Sequence, residues 1–347
     1  MSVKTFAAID VGSFELTMKI FDLSGKNTMR EIDCIRQRID LGSDTYAHGK
    51  ISNEKIDDLC HTLKEFAQIM ESYKVTAYKA YGTSAIRETE NTLILQDQIE
   101  QRTGIWVETL SNSEQRFLDY KSIASKGETF RRIIEEKTAI LDIGGGSIQI
   151  SLFDKDALVT TQNIRMGSLR IRERLAGIQS ETEHYEEMVE ELIWNEVSSF
   201  KKMYLKDRKI ENIMLIGDVF TDSVYQNIEE KTTKIISREN FNTWYEKIIR
   251  QSPMELAVKL GIPLENASLM YPSAVIYKCL IDMMGAEHIW IPGVHMTRGI
   301  AYEYAEQMKL LKGGHNFEND ILMAAKNIGK RYAVNRPHVQ NLEMTAL

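Results

Sequence analysis

The sequence predicts an α/β protein made of two similar halves with a ligand cleft between them. Three observations carry that expectation. The stretch Leu141-Asp142-Ile143-Gly144-Gly145-Gly146-Ser147 joins two runs of strand character, residues 138–141 before it and 148–153 after it. Near the start, Ala8-Ile9-Asp10-Val11-Gly12-Ser13 repeats the layout between a strand over residues 4–8 and another over 16–23. Helical and strand-like segments alternate after each pair, and 347 residues suffice for two cores. A strand, Asp-x-Gly turn and strand that occurs twice marks a duplicated unit, even without visible sequence identity between the copies.

Three glycines after Asp142 are more than an ordinary hairpin needs, since such turns are served by one or two. Missing Cβ atoms let backbone N–H groups approach an anion, and the adjacent carboxylate can hold a cation. Phosphate binding is therefore expected, with a plain hairpin as the alternative.

Bulk properties narrow the class. A hydrophobic content of 43% with 5 prolines argues against extended disorder. The net charge of −7 leaves no nucleic-acid footprint, so a polyanion would need a local basic groove. Cys34, Cys60 and Cys279 are odd in number and far apart, which reads as reduced thiols in a cytoplasmic protein. The N-terminus enters a strand without a signal-peptide pattern, and no apolar run suits a bilayer span, so no membrane role is expected.

In order, a third strand is expected over residues 31–39, then a polar loop through Gly49. Ser52 caps a helix whose Ile56, Leu59, Leu63, Phe66 and Met70 fall at helical spacing. A strand over 76–81 runs into Gly82-Thr83-Ser84-Ala85-Ile86-Arg87, followed by a helix over 92–101 and a strand over 106–110. Ser111-Asn112-Ser113-Glu114 fits a capping box opening a helix through Phe117, Tyr120 and Ile123. Ser125-Lys126-Gly127 is the expected domain boundary. Beyond the glycine turn come a strand over 158–161, helices over 168–175 and 182–203, and a strand over 211–216. Two helices follow, the second opened by Ser252-Pro253. A buried helix over 274–284, a strand over 289–291 and a helix over 297–311 complete the second half.

These runs, together with Gly49-Lys50-Ile51-Ser52, Arg165-Met166-Gly167, Gly261-Ile262-Pro263 and Arg298-Gly299, resemble the exopolyphosphatase / guanosine-pentaphosphate phosphohydrolase family. That family lies within the actin-like, sugar-kinase-like ATPase superfamily, and the match in order and spacing covers about residues 5–312. The resemblance implies two actin-like (ribonuclease H-like) domains, residues 1–124 and 125–312, flanking the cleft. Residues 313–347 resemble the first helices of the helical C-terminal domain of longer members, so the chain reads as truncated relative to them.

The resemblance also implies an activity: Mg²⁺-assisted release of terminal phosphate from polyphosphate or guanosine pentaphosphate, by a water that a Glu activates, in a homodimer. Asp10, Gly12 and Ser13 match the first phosphate turn, and Gly144, Gly145, Gly146 and Ser147 the second. Asp142, with Asp10, matches the metal ligands. Thr83 and Arg87 fall where the family lines its cleft, Arg87 either as a phosphate contact or as a solvated arginine at a helix start. Arg36, Arg38 and Arg165 are weaker candidates of the same kind, with surface salt bridges as the default.

Four sites depart from the family pattern. Phe14 and Glu15 replace the Asn and Ser or Thr that follow the first turn. Gln115 falls on the second of a glutamate pair, the position of the catalytic base, where an amide can orient a water but cannot take its proton. Glu114 is kept, but the capping box already employs it. Gly217-Asp218-Val219-Phe220-Thr221 and Pro292-Gly293-Val294-His295 replace a glycine-rich loop and an Asp-containing run. Two readings follow: an active phosphohydrolase, or a catalytically impaired relative that binds a phosphorylated ligand as a sensor or regulator. A sugar kinase of the same superfamily ranks last, because no stretch pairs an Asp base with sugar-binding loops in order.

Overall fold

A computed structural model describes residues 4–25, 27–175, 185–217, 219–227 and 234–346. The chain opens with β1 (Thr5–Val11), β2 (Glu15–Asp22) and β3 (Arg30–Arg38). It continues through α1 (Leu41–His48), α2 (Asn53–Ser72), β4 (Ala77–Gly82), α3 (Ser84–Glu88), α4 (Thr92–Thr103), β5 (Val107–Thr109), α5 (Asn112–Ala124) and α6 (Glu128–Ile134). The strands form a five-stranded sheet in the order β3-β2-β1-β4-β5. β1, β2 and β3 are antiparallel neighbours, whereas β4 runs parallel to β1 and β5 parallel to β4.

The second half repeats this plan. β6 (Thr138–Ile143), β7 (Ile148–Asp154) and β8 (Ala157–Ile164) form an antiparallel meander. After α7 (Ser168–Leu175) and α8 (Tyr185–Phe200), β9 (Asn212–Ile216) lies parallel to β6. α9 (Val219–Asn227), β10 (Ile235–Ser237), α10 (Arg238–Ile249), α11 (Pro253–Leu260) and α12 (Leu264–Met284) lead to β11 (His288–Trp290), which is parallel to β9. The sheet order is β10-β11-β9-β6-β7-β8. Leaving out the edge strand β10, the two sheets share one topology: the duplication that the two Asp-x-Gly turns mark is present in the strand order.

Local chemistry explains the elements. The stripe Ile56, Leu59, Leu63, Phe66 and Met70 of α2 is buried against β1 and β4, and Ser52 accepts from the Lys55 N–H. Fully burying one such side chain contributes about 1.5–3 kcal/mol. Ser252 and Glu255 close a capping box on α11 with Pro253 at its first position.

The polar loop expected before Gly49 is instead α1. Asp40, at φ 54°, accepts from the Ser43 N–H and starts the helix without the usual extended cap, and only Leu41, Gly42 and Thr45 are buried. That pattern carries no helical stripe. The helix expected over 182–203 begins in part outside the described residues; α8 runs to Phe200 and ends in a π-turn over Lys201–Leu205. Between β9 and Gly261 three helices and a strand replace the two helices expected.

α13 (Met296–Gln307) returns to the first sheet. Its Met296, Ile300, Ala301 and Ala305 pack with Phe6, Ala8 and Phe21. A Cβ on Gly299 would stand 1.8 Å from the Leu118 carbonyl oxygen, so α13 and α5 approach as closely as backbones allow. α14 (Phe317–Arg331) lies along β8 and α15 (Arg336–Ala346) follows.

Candidate active site

Equivalent strands bring the two Asp-x-Gly turns together. Asp10 ends β1 beside parallel β4, and Asp142 ends β6 beside parallel β9. Both line a cavity of about 160 Å³ with Gly12, Ser13, Thr83, Gly144, Gly145 and Ser147. The turns meet closely: a Cβ on Gly145 would lie 3.5 Å from that of Ser13. Ser13 Oγ, buried, bonds Tyr46 Oη at 2.7 Å and Ser84 Oγ at 2.8 Å.

The glycines serve different ends. Gly12 and Gly144 spend their N–H groups inside their own turns, on the carbonyls of Glu15 and Ser147. Gly146 stands outside the lining, and its Cβ would fall 1.9 Å from Tyr46 Oη, so its bareness admits the first half of the chain. Gly217, at φ 118°, has no Cβ to strike Asp142 Oδ1, which would lie only 2.4 Å away.

α5 presents the polar wall. Ser111 and Glu114 form the expected capping box, with Ser111 N–H donating to Glu114 Oε2 at 2.8 Å. Glu114 is exposed and outside the lining. Gln115 faces the cleft, its Nε2 donating to Asp142 Oδ2 at 3.5 Å. Arg87 lies behind Gln115: its Nη1 donates to the Leu110 carbonyl at 2.7 Å and to Gln115 Oε1 at 3.4 Å. It therefore orients the amide and does not line the cavity. Of the weaker arginines, Arg38 pairs with Glu265 and Arg165 with Glu88, while Arg36 lines the cleft.

Sequence reasoning missed Asp119, one turn after Gln115 on the same face of α5. Asp119 is 5% exposed, lines the cleft and stands beside the carboxyl of Asp142. Burial, then the charge of Asp142, holds Asp119 well above the usual carboxylate range, and Arg116 only partly opposes this. Burial, then the charges of Asp142 and Glu15, pushes Asp10 up to about 7. A carboxylate four residues beyond Gln115 was the signal available.

The departures at residues 14, 15 and 292–295 converge across the cleft. Phe14 packs with Leu169 and Leu269 from the other half. Arg36 Nη1 donates to Asp222 Oδ2 at 2.8 Å, His295 Nε2 stands 3.0 Å from Asp222 Oδ1, and Glu15 lies 3.7 Å from Arg36 Nε. Burial would raise Asp222, but His295 and Arg36 hold it down at about 2. Asp218 lies outside the described residues.

The sequence profile of the Ppx/GppA phosphatase family matches residues 20–308. The chain belongs to the Ppx/GppA phosphatase family. Among curated proteins it is similar to a bifunctional 3-dehydroquinate synthase/phosphatase of Fusobacterium nucleatum, 22% identical over 310 residues, covering 82% of this chain and 44% of that protein. It is also similar to exopolyphosphatase 1 of Mycobacterium tuberculosis, 28% identical over 144 residues, 41% of this chain and 40% of that one. The chain thus spans less than half the length of these relatives. Among solved structures, an exopolyphosphatase from Cytophaga hutchinsonii superposes with a TM-score of 0.77 at 19% identity, over 89% of this chain and 100% of that one. The Aquifex aeolicus Ppx/GppA family member gives 0.70 at 16%, over 88% and 99%. The fold is therefore the two-domain, actin-like fold of the Ppx/GppA proteins.

The cleft's donor set suits the hard cation such a phosphatase would use. Among the described residues, Asp10 Oδ1 and Asp119 Oδ2 are buried oxygens without partners. Among the described residues no three His, Cys, Asp or Glu side chains form a cage. Mg²⁺ needs none, being held by one or two carboxylates together with water and substrate phosphate. No helix of the described residues is long and apolar enough to cross a membrane.

Proposed function

We propose that this Ppx/GppA protein is an exopolyphosphatase-type phosphohydrolase with a slow chemical step, releasing terminal phosphate from polyphosphate or guanosine pentaphosphate. The observation that carries this reading is the Gln115 amide, 3.5 Å from Asp142 where the two Asp-x-Gly turns meet. Phosphoryl transfer needs a positioned water and charge neutralisation more than covalent chemistry. Gln115, held by Arg87, orients such a water without accepting its proton. Mg²⁺ at Asp142 and Asp10, when bound, would neutralise phosphate oxygens. The phosphate itself would lie against Ser13, Thr83, Gly144, Gly145 and Ser147.

A second reading, phosphate-ligand binding without turnover, is favoured by the charge of the lining. Asp10, Glu15, Asp119, Asp142 and Asp222 face the cavity, with Arg36 as the arginine among the lining residues and already engaged by Asp222. A bare polyanion would be repelled, so either reading requires the ligand to arrive with cations. Phosphate release from Mg²⁺-polyphosphate separates the two: slow turnover supports the first, tight binding with none the second.

Free thiols at Cys34, Cys60 and Cys279 support a reducing, cytoplasmic setting. Exposed Ile321, Leu322, Ile328 and Tyr332 on α14 and its end support a homodimer, which sedimentation would test.

A further inference from the structure

We propose that Asp119 is a ligand of the cleft's divalent cation, together with Asp142 and the side-chain oxygen of Gln149. α5 then supplies, one turn beyond Gln115, a carboxylate to the cation. The inference deepens the phosphohydrolase reading and rests on its assumption of a cation.

Three observations converge. Among the described residues, Asp119 Oδ2 is buried in the cleft lining without a partner. Asp142, beside which Asp119 stands, also receives Gln115 Nε2. Gln149 stands directly opposite Asp142 in the β6–β7 ladder. Opposed residues of an antiparallel pair project from one face, so the Gln149 side chain rises beside Asp142. It is 2% exposed, just behind the cavity lining, and among the described residues neither its Oε1 nor its Nε2 has a partner. An amide wholly orphaned beside two carboxylates in contact is an expensive arrangement, unless a ligand is meant to complete it.

Two carboxylates and an amide oxygen are hard donors of the kind Mg²⁺ and Mn²⁺ take. Two carboxylates held side by side repel each other, and a divalent charge between them relieves that repulsion. Arg116 offsets this repulsion only in part, its Nη1 being directed to Thr161 on β8.

The test measures Mn²⁺ binding to the full chain without any phosphate substrate, by electron paramagnetic resonance of the free ion, for wild type, Asp119→Asn and the surface control Glu65→Gln. Asp119→Asn is expected to weaken Mn²⁺ at least fivefold and to raise the Tm of the cation-free protein, with the control unchanged. A smaller loss, or a wild type that binds no Mn²⁺, overturns the inference. If Asp119→Asn does not fold, wild type loaded with Fe²⁺ and treated with ascorbate and peroxide decides. Backbone cleavage at positions 119 and 142 supports the site, and cleavage at 142 without 119 refutes it. Mn²⁺ binding without phosphate release would keep this inference and sink the hydrolase reading.

Discussion

Arg36, on β3 of the first sheet, donates across the cleft to Asp222, on α9 of the second half, at 2.8 Å. The pair is joined by His295 and Glu15, so residues far apart in sequence clasp the two halves. Arg36 is 36% exposed and Asp222 21%, which places the pair between surface and buried ion pairs. Arg36→Ala is expected to cost about 1–2 kcal/mol in urea unfolding, because Asp222 and Glu15 each lose a charged partner. It should also speed proteolysis of the cleft loops, and unchanged proteolysis would show that the clasp does not hold the halves.

Gly217→Ala is expected to damage the site through Asp142. The new Cβ would meet Asp142 Oδ1 at 2.4 Å on a backbone at φ 118°. Strain of this kind costs about 1–3 kcal/mol. Urea unfolding reads the loss, and Mn²⁺ affinity should fall with it as the carboxylate is displaced.

Glu114 and Gln115 are neighbours with separate roles. Glu114→Ala removes half of a capping box and should cost about 1 kcal/mol while sparing ligand binding. Gln115→Ala should leave stability nearly unchanged and lower any phosphate release. A Glu114 variant that folds normally but has lost all activity would return the catalytic role to Glu114.

Among the groups that set the pH dependence of the cation-free protein, Asp10 and Asp222 shift in opposite directions. Asp10 is raised from 3.8 to about 7, so the folded state binds more protons than the unfolded one between those values. Stability therefore rises as pH falls from about 7 towards 4. Asp222 is lowered from 3.8 to about 2, so its contribution is present above 3.8 and is lost as pH falls towards 2. In chelator, Tm should rise from pH 8 to pH 5, less steeply in Asp10→Asn. Parallel profiles would exclude Asp10 as the source.

Much of this architecture is legible in the sequence because local rules and tertiary packing agree. The α2 stripe, the boxes at Ser111 and Ser252, and both Asp-x-Gly turns follow from spacing and backbone chemistry. α1 is not legible, because a left-handed Asp40 starts it and two of its three buried residues, Gly42 and Thr45, are not large apolar side chains. The cleft is only half legible. Asp142 and Gln115 come from the motif, whereas the meeting of Arg36 with Asp222 depends on two elements 186 positions apart. Asp119 was hidden by its apolar neighbours: Phe117, Tyr120 and Ile123 announce a helix, and the carboxylate among them acquires meaning only once Asp142 stands beside it.

The most direct test of the account is phosphate release from long-chain polyphosphate and guanosine pentaphosphate in Mg²⁺, comparing wild type with Gln115→Glu. A carboxylate base is worth about 10²- to 10⁴-fold in rate, so wild type should be slow and Gln115→Glu faster by a factor in that range. A wild type that turns over as fast as Gln115→Glu, or faster, would contradict the claim that the amide at position 115 limits the chemistry.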